Sequence, residues 1–161
     1  MAAVDISNGK PVASGARKIL VVDDDAVILK TLSLSLEYLG YRVLTAANVI
    51  AALTAVRQEK PDLILMDLHF PAEANNVSAG LQDGLQVIDW LRHMNGEWKT
   101  PVMIISATDP EQYKERARAA GVTACFAKPI DTSRLVAATN AVLAGGGHGG
   151  SSGQLAVDSG R

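Results

Sequence analysis

Several apolar runs in this sequence end on a residue that could do chemistry. Asp67 closes the run LILMD, Ser106 closes VMIIS, and Lys128 closes ACFAK. A further run, KILVV, leads directly into the acidic pair Asp23 and Asp24. If these carboxylates share a cleft they repel one another, and a hard divalent cation that prefers oxygen ligands relieves the repulsion. The pattern therefore favours a Mg²⁺ site beside a hydroxyl and an ammonium group.

The same residue types suit phosphoryl transfer. A carboxylate beside Mg²⁺ can act as a nucleophile and form an aspartyl phosphate. The Lys128 ammonium would then bind phosphoryl oxygens as a point charge, and the Ser106 hydroxyl would donate a hydrogen bond to them. The residues predict a phosphorylation site, provided that the fold brings these distant positions together.

The segments around these positions alternate between two hydrophobic patterns. Short apolar, β-type runs predict strands at 18–23, 41–46, 62–67, 101–106 and 123–128. Helical patterns predict helices at about 26–39, 48–59, 82–95, 110–120 and 132–144. The alternation predicts a doubly wound α/β fold, with parallel strands joined by right-handed crossovers. Because ligands bind at the carboxyl edge of such a sheet, the polar strand ends would meet there.

Local signals mark several helix ends. Asp25, Asp109 and Asp131 stand where a side-chain cap would begin a helix, and Pro110 suits the first helical position. Glycines at 40 and 121 stand where helices should stop. These signals support the predicted helix boundaries.

Length and composition indicate one ordinary folded domain. The chain has 161 residues, 48% hydrophobic and 20% charged, with a formal net charge of −2. That charge gives no electrostatic reason to expect nucleic-acid binding. Cys125 is the single cysteine, which excludes an internal disulfide and a cysteine zinc site and favours a reducing compartment, the cytoplasm. No apolar run approaches the roughly 18 residues of a membrane span, and the N-terminus shows no signal-peptide pattern.

The two ends of the chain differ from its middle. Residues 1–16 are small and polar, which predicts a flexible N-terminal arm. Residues 145–161 open with a glycine cluster, which predicts a flexible tail. The folded domain is expected at 17–144. Because the tail has no room for a helix-turn-helix, we expect either a stand-alone protein or one domain of a larger one.

Four motifs, in this order, resemble the response-regulator receiver domains of two-component signalling. They are LVVDDD with Asp23 and Asp24, LILMDLHFP with Asp67, VMIISA with Ser106, and FAKPID with Lys128. Each motif alone is weak, but the set on successive predicted strand ends is specific, and the resemblance covers about residues 17–144. It implies a flavodoxin-like (βα)5 fold with a five-stranded parallel sheet in the order 2-1-3-4-5.

The resemblance also implies a role for each member of the acidic cluster. Asp67 would be phosphorylated by a sensor histidine kinase or a histidine phosphotransfer protein. Asp23, Asp24, Asp67 and the backbone carbonyl of His69 would bind Mg²⁺ or Mn²⁺. Phosphorylation would switch contacts with a downstream protein target or an absent output domain, without direct contact to nucleic acid or membrane.

Further residues would respond to the phosphoryl group. Ser106 and Lys128 would sense it and transmit the switch. The side chains of His69 and Thr108, two residues after the phosphoacceptor and the serine, would modulate how long it survives. The resemblance implies a signalling switch rather than an enzyme, although Mg-dependent self-phosphorylation and autodephosphorylation belong to its chemistry.

One departure from the family pattern concerns Cys125. It stands three residues before Lys128, where receivers usually carry Tyr or Phe, and Phe126 lies on the opposite face of the strand. The usual coupling of the hydroxyl to an aromatic side chain is therefore in question. We expect this chain to signal through another surface or with a smaller conformational change, with Cys125 modulating the switch.

The other departure is a long connection after the third strand. Eleven residues, 72–82, separate Pro71 from Asp83, where receivers typically have two. The difference implies an insertion of about nine residues, which a surface loop tolerates at low entropic cost. Loops of this length without structure are uncommon and often bind or cover something. The segment is either a tolerated insertion or an edge of the phosphorylation pocket.

Two other functions compete with the receiver interpretation. The stretch DDDAVI fits the opening motif of haloacid-dehalogenase-type phosphatases, with Asp23 as nucleophile and Asp25 as general acid. That alternative lacks a later acidic pair for Mg²⁺ and leaves Asp67 without a role. The other is a receiver-like interaction module that is never phosphorylated, against which the complete set of site residues argues.

Overall fold

The computed structural model describes residues 5–7, 10–12, 15–69, 83–94, 96, 98–145 and 156–158. The strands are β1 (Asp5–Ser7), β2 (Lys10–Val12), β3 (Lys18–Val22), β4 (Arg42–Ala46), β5 (Leu63–Asp67), β6 (Val102–Ser106), β7 (Ala124–Ala127) and β8 (Ala156–Asp158). The helices are α1 (Ala26–Tyr38), α2 (Val49–Glu59), α3 (Gly84–Met94), the 3-10 helix η1 (Pro110–Gln112), α4 (Lys114–Ala119) and α5 (Thr132–Ala144). β1 and β2 form an antiparallel pair, whereas β3 to β8 form one parallel sheet. The predicted alternation of strands and helices is confirmed.

Side-chain caps and glycines set the helix ends where the sequence predicts them. Asp25 accepts hydrogen bonds from backbone N–H groups in the first turn of α1, and Asp109 and Asp131 do the same for η1 and α5. Gly40 and Gly121 follow helix ends with φ of 92° and 73°, a left-handed conformation that glycine adopts without a steric penalty.

The fourth predicted helix, at 110–120, is divided in two. Its first turn is η1, and α4 begins after Tyr113, whose φ of −127° lies outside helical values. The Tyr113 side chain is buried. The break therefore coincides with the residue that turns into the core.

The strand order of the parallel sheet is β4-β3-β5-β6-β7-β8. Over the first five strands it is the predicted order 2-1-3-4-5, which is confirmed. The prediction of five strands is wrong, because Ala156–Asp158, within the tail, pairs in parallel with β7. This pairing satisfies backbone groups that an outermost β7 would leave open. Three residues are too few for a periodic pattern, so the sequence carries little signal for β8.

The hydrophobic core lies on both faces of the parallel sheet. Leu20 and Val22 of β3 pack on one face with apolar residues of α2, α3 and α4. Ile19 and Val21 pack on the other face with residues of α1 and α5. All residues of β5 and β6 are buried, which explains their nearly continuous apolar runs. Within the described ranges, the structure contains no helix long and apolar enough to cross a bilayer.

The structure describes the predicted arm at 1–16 and the predicted tail at 145–161 only in part. β1 and β2 lie in the arm, and β8 lies in the tail. The flexibility predicted for both ends stays a prediction. The insertion predicted at 72–82 lies outside the described residues.

Candidate functional site

The polar residues that close the predicted strands lie together at the carboxyl edge of the parallel sheet. Asp67 and Ser106 are the last residues of β5 and β6, while Asp23 and Lys128 directly follow β3 and β7. These four strands are consecutive neighbours in the sheet. The Lys128 backbone N–H donates to the Ser106 carbonyl over 2.8 Å, which fixes the lysine at this edge. The fold thus joins side chains up to 105 positions apart in sequence.

Three carboxylates form a cluster at this edge. Asp23, Asp24 and Asp67 each place one oxygen within 4.8 Å of the others. Asp23 and Asp67 expose only 2% and 6% of their surface, whereas Asp24 is exposed. Asp25 directs its carboxylate to the start of α1 as the helix cap. Carboxylate oxygens are the ligands that hard divalent cations prefer, so this donor set fits Mg²⁺ or Mn²⁺.

Both carboxylate oxygens of Asp23 accept short hydrogen bonds. Oδ1 accepts from the backbone N–H of Asp25 at 2.8 Å, and Oδ2 accepts from Lys128 Nζ at 2.8 Å. The Asp23 backbone N–H donates to the Ala46 carbonyl at the end of β4 over 3.1 Å. Asp23 is therefore fixed in both main chain and side chain.

Asp67 has longer contacts. Its Oδ1 accepts from the His69 backbone N–H at 3.3 Å, and its Oδ2 lies 3.4 Å from Lys128 Nζ. Burial raises the pKa of Asp67, and the negative charge of Asp23 raises it further, while Lys128 and the His69 N–H oppose this rise without reversing it. Of the two buried carboxylates, Asp67 therefore has the weaker hydrogen bonds. A cation at the cluster would favour its charged form.

Lys128 supplies positive charge to the cluster. Its side chain is 18% exposed. Burial alone would lower the pKa of the ammonium, but the hydrogen bond to Asp23 and the charges of Asp67 and Asp23 outweigh burial and raise the pKa. Lys128 therefore stays charged at neutral pH. One ammonium does not balance three carboxylates, so the cluster keeps a net negative charge that attracts a cation.

A hydroxyl and an imidazole lie beside the carboxylates. Ser106 is fully buried, and its Oγ accepts from the Thr108 backbone N–H at 3.1 Å, so its own O–H can donate to another group. His69 Nε2 lies 2.7 Å from Thr108 Oγ1, which joins the segments that follow β5 and β6. The predicted role of the His69 backbone carbonyl as a metal ligand stays a prediction.

The sequence analysis missed Tyr113, which lies against Cys125. Cys125 and Phe126 belong to core clusters on opposite faces of the sheet, as predicted. Burial raises the pKa of Cys125 to about 11, so it remains an unreactive thiol. Tyr113 is 3% exposed, and burial followed by the neighbouring thiol raises its pKa. An aromatic ring thus packs on Cys125 from the helix side. The one sequence signal was an aromatic residue in the charged stretch EQYKERAR.

The chain on either side of the predicted insertion is anchored beside Asp67. His69 and Asp83 form an isolated antiparallel bridge. A Cβ atom on Gly84 would lie 2.4 Å from the Asp67 carbonyl oxygen, so only glycine fits there. The sequence analysis did not predict that position 84 requires glycine, although the Asp83-Gly84 pair was visible in the sequence. The residues that flank the predicted insertion, His69 on one side and Asp83 and Gly84 on the other, are therefore close to the backbone of Asp67.

Comparisons with known proteins agree on one family. The family described as "Response regulator receiver domain" matches residues 19–140. Protein PilH of Pseudomonas aeruginosa is 34% identical over 131 residues, which cover 80% of this chain and 98% of PilH. The polar-differentiation response regulator DivK of Brucella anthropi is 29% identical over 120 residues, which cover 74% of this chain and 90% of DivK.

A solved structure supports the same assignment. The chemotaxis response regulator CheY4 of Vibrio cholerae has a TM-score of 0.67 and 29% sequence identity, and the alignment covers 79% of this chain and 98% of CheY4. The family match extends over most of the folded residues and includes every residue of the carboxylate cluster. This chain therefore belongs to the response regulator receiver domains, the phosphoacceptor domains of two-component signalling.

Proposed function

We propose that Asp67 is the phosphoacceptor of this receiver domain. The observation that carries this assignment is the difference between the two buried carboxylates. Both oxygens of Asp23 accept hydrogen bonds of 2.8 Å, whereas the contacts of Asp67 are 3.3 and 3.4 Å long and its pKa is raised. A carboxylate that is more basic and less engaged in hydrogen bonds is the better nucleophile.

The phosphoryl donor in this proposal is a phosphohistidine on a sensor histidine kinase or a histidine phosphotransfer protein. An Asp67 oxygen attacks the phosphorus, a P–O bond forms, and the P–N bond breaks. The electron pair stays on the imidazole nitrogen, which takes a proton from water. Mg²⁺ or Mn²⁺, when bound, offsets the negative charge on the reacting oxygens. Asp23, Asp24, Asp67 and the His69 carbonyl are its proposed ligands.

Lys128 and Ser106 respond to the product. When the Asp67 carboxylate becomes an acyl phosphate, the Lys128 ammonium is available to phosphoryl oxygens, and the Ser106 O–H can donate to another. His69 and Thr108 meet through a 2.7 Å contact directly after β5 and β6. We propose that this contact limits the access of water and so sets the lifetime of the acyl phosphate.

The biological role that follows is a switch of protein contacts rather than turnover of a metabolite. The acyl phosphate is formed on Asp67 and hydrolysed there, so the only product released is inorganic phosphate. The downstream target is a protein or a further domain. We propose the cytoplasm as the compartment, which agrees with the free, buried Cys125 and with a histidine kinase as donor.

Mass spectrometry after incubation with acetyl phosphate and Mg²⁺ tests the phosphoacceptor. We expect the native chain to gain one labile phosphoryl group, and we expect EDTA to prevent the gain. The Asp67→Asn variant should gain none. Asp25→Asn is the matched control, because Asn also caps helices and Asp25 lies next to the cluster without joining it; it should be phosphorylated like the native chain.

A phosphoryl adduct that persists in Asp67→Asn would show that another residue is the acceptor. The variants Asp23→Asn and Asp24→Asn address the cation. Both should raise the Mg²⁺ concentration needed for phosphorylation, because each removes a negative oxygen ligand. An unchanged Mg²⁺ dependence in both variants would contradict the proposed cation site.

A further inference from the structure

Among the described residues, β8 is the strand that pairs with the outer edge of β7. Val157 lies opposite Cys125 and Asp158 opposite Phe126 in a parallel register. Without β8, the outer edge of Ala124–Ala127, here called the β7 edge, would present open backbone N–H and C=O groups. Such an edge accepts an extended segment through main-chain hydrogen bonds.

The β7 edge also carries a side-chain contact for its occupant. Arg134 of α5 donates from Nη1 to Asp158 Oδ1 at 2.8 Å, and its Nε lies 3.6 Å from Asp131. The Asp158 side chain is 18% exposed, whereas that of Arg134 is 52% exposed. The contact favours an extended segment with a carboxylate at the position of Asp158.

Few contacts stabilise the pairing of β8 with β7. The strand has three residues, of which Ala156 is exposed and the other two are half-buried. It follows α5 after residues 145–155, and six of these eleven residues are glycine. Closing a glycine-rich connection costs conformational entropy, and short elements with few buried contacts open most readily. The occupant of the β7 edge can therefore exchange while the domain stays folded.

A chain of contacts joins β8 to the phosphoacceptor site. The 3-10 helix η1 packs against both β7 and β8. It begins at Pro110, two residues after Thr108, whose backbone N–H donates to Ser106 Oγ and whose hydroxyl meets His69. A displacement of Ser106 and Thr108 towards a phosphoryl group would therefore move the element on which β8 rests.

We propose that the β7 edge is a strand-binding surface that β8 occupies in the unphosphorylated chain, and that phosphorylation of Asp67 releases β8. The freed edge then binds an extended segment of a partner protein that carries an acidic residue opposite Arg134. The proposal rests on the proposed function of Asp67. The tail strand β8 and the partner segment thus compete for the same β7 edge.

Hydrogen exchange of the full chain, read by mass spectrometry with and without beryllofluoride and Mg²⁺, tests the release. We expect peptides covering Ala124–Ala127 and Ala156–Asp158 to be protected at first and to exchange roughly 5–150-fold faster with the phosphoryl mimic, the range of an ordinary coupling between two sites. Protection that persists unchanged, while residues around Asp67 respond, overturns the release. Absence of protection in both states also overturns it. No response around Asp67 or Lys128 would instead overturn the proposed function and this inference with it.

Variants of the tail provide a reciprocal test. Val157→Pro removes a main-chain donor and disfavours strand pairing, while Asp158→Asn weakens the charge contact with Arg134 and keeps the main-chain donor. By linkage, Val157→Pro should bind beryllofluoride more tightly, by at most the factor by which beryllofluoride opens the edge, and Asp158→Asn should show a smaller gain. Equal beryllofluoride affinity in native chain and Val157→Pro would refute the coupling.

A peptide tests the binding surface itself. The probe is QLAVDSG, the sequence of residues 154–160, added to the full-length Val157→Pro variant and followed by fluorescence anisotropy. We expect it to bind this variant more tightly than the native chain, and to lose affinity when its aspartate is replaced by asparagine or when Arg134→Gln is introduced. Equal binding to the variant and the native chain, or no effect of the charge changes, would overturn the proposed surface.

Discussion

Replacing Lys128 with methionine tests the electrostatic account of the site. The change keeps an unbranched side chain but removes the ammonium that contacts Asp23 and Asp67 at 2.8 and 3.4 Å. At an effective dielectric constant of about 20, these distances correspond to gross attractions of about 6 and about 5 kcal/mol. The desolvation of the ammonium offsets much of this attraction, since only 18% of the Lys128 side chain is exposed.

The net effect is therefore smaller than the gross attraction. Removing one partner of a buried ion pair costs about 3–5 kcal/mol, because the other charge stays buried without compensation. Asp24 is exposed and Lys128 is not completely buried, so water can relax part of the strain and the lower end applies. We expect Lys128→Met to lose about 3 kcal/mol of unfolding free energy at pH 7 without divalent cations, equivalent to about 6–12 °C in Tm for a chain of this size.

Urea unfolding followed by tryptophan fluorescence measures this loss, in EDTA and in Mg²⁺. Mg²⁺ should restore part of it, because a bound cation compensates the carboxylates that Lys128 no longer neutralises. Lys114→Met is the control, since Lys114 forms an exposed ion pair with Glu111 and should lose much less stability than Lys128→Met. A Lys128→Met loss as small as that of the control, or one that Mg²⁺ leaves unchanged, would refute the reasoning.

Three more substitutions have defined outcomes. The pKa of Asp67 is higher in the folded chain than in the unfolded one, so the stability of the native chain falls as pH rises from the usual carboxyl pKa of 3.8 through the raised value. In EDTA at pH 7, Asp67→Asn should therefore be more stable than the native chain. Calorimetry should show this difference in stability disappearing below pH 3.8. Gly84→Ala should lose about 1–3 kcal/mol in urea unfolding because its Cβ would lie 2.4 Å from a carbonyl oxygen, whereas Gly145→Ala, whose nearest atom is at 3.4 Å, should change little. Tyr113→Phe should change the stability to thermal unfolding by less than about 1 kcal/mol, because the Tyr113 hydroxyl is buried beside only a weak partner, the Cys125 thiol, and makes no hydrogen bond of ordinary geometry among the described residues. A larger loss would show that the hydroxyl contributes a bond.

The sequence predicts most of the sheet because its signals are local and repeated. The strands β3, β5, β6 and β7 are short apolar runs, and each ends at or just before a polar residue. Parallel strands then bring Asp23, Asp67, Ser106 and Lys128 to one edge without any further information. The positions of these residues follow from topology, so their proximity can be predicted without coordinates.

Contacts between side chains within that edge could not be predicted in the same way. The sequence places Lys128 near two carboxylates, but it does not indicate that the lysine lies closer to Asp23 than to Asp67. That difference depends on distances of a few tenths of an ångström between strand ends. It nevertheless decides which carboxylate is more engaged and hence which one we propose as the nucleophile.

Other features were missed because their local signals are weak. β8 is too short to show a period and follows a glycine-rich stretch, so sequence patterns favour a flexible tail. The constraint on Gly84 arises from the carbonyl of Asp67, a contact between separate segments. Helical periodicity does not show that Tyr113 interrupts the predicted fourth helix and enters the core. In each case the decisive partner lies elsewhere in the chain.

The contacts of Cys125 connect two of these missed features. A cysteine in the middle of β7 leaves room on one face, and Tyr113 reaches that face from between η1 and α4. On the edge of the same strand, Val157 of β8 pairs with Cys125. Because η1 packs on both β7 and β8, a shift of η1 would alter the packing of Tyr113 on Cys125 and the seating of β8 together. An aromatic ring beside Cys125 thus comes from the segment that also contacts the tail strand. The expectation that this chain signals through another surface or with a smaller conformational change stays a prediction, and the β7 edge is the surface that we propose for it.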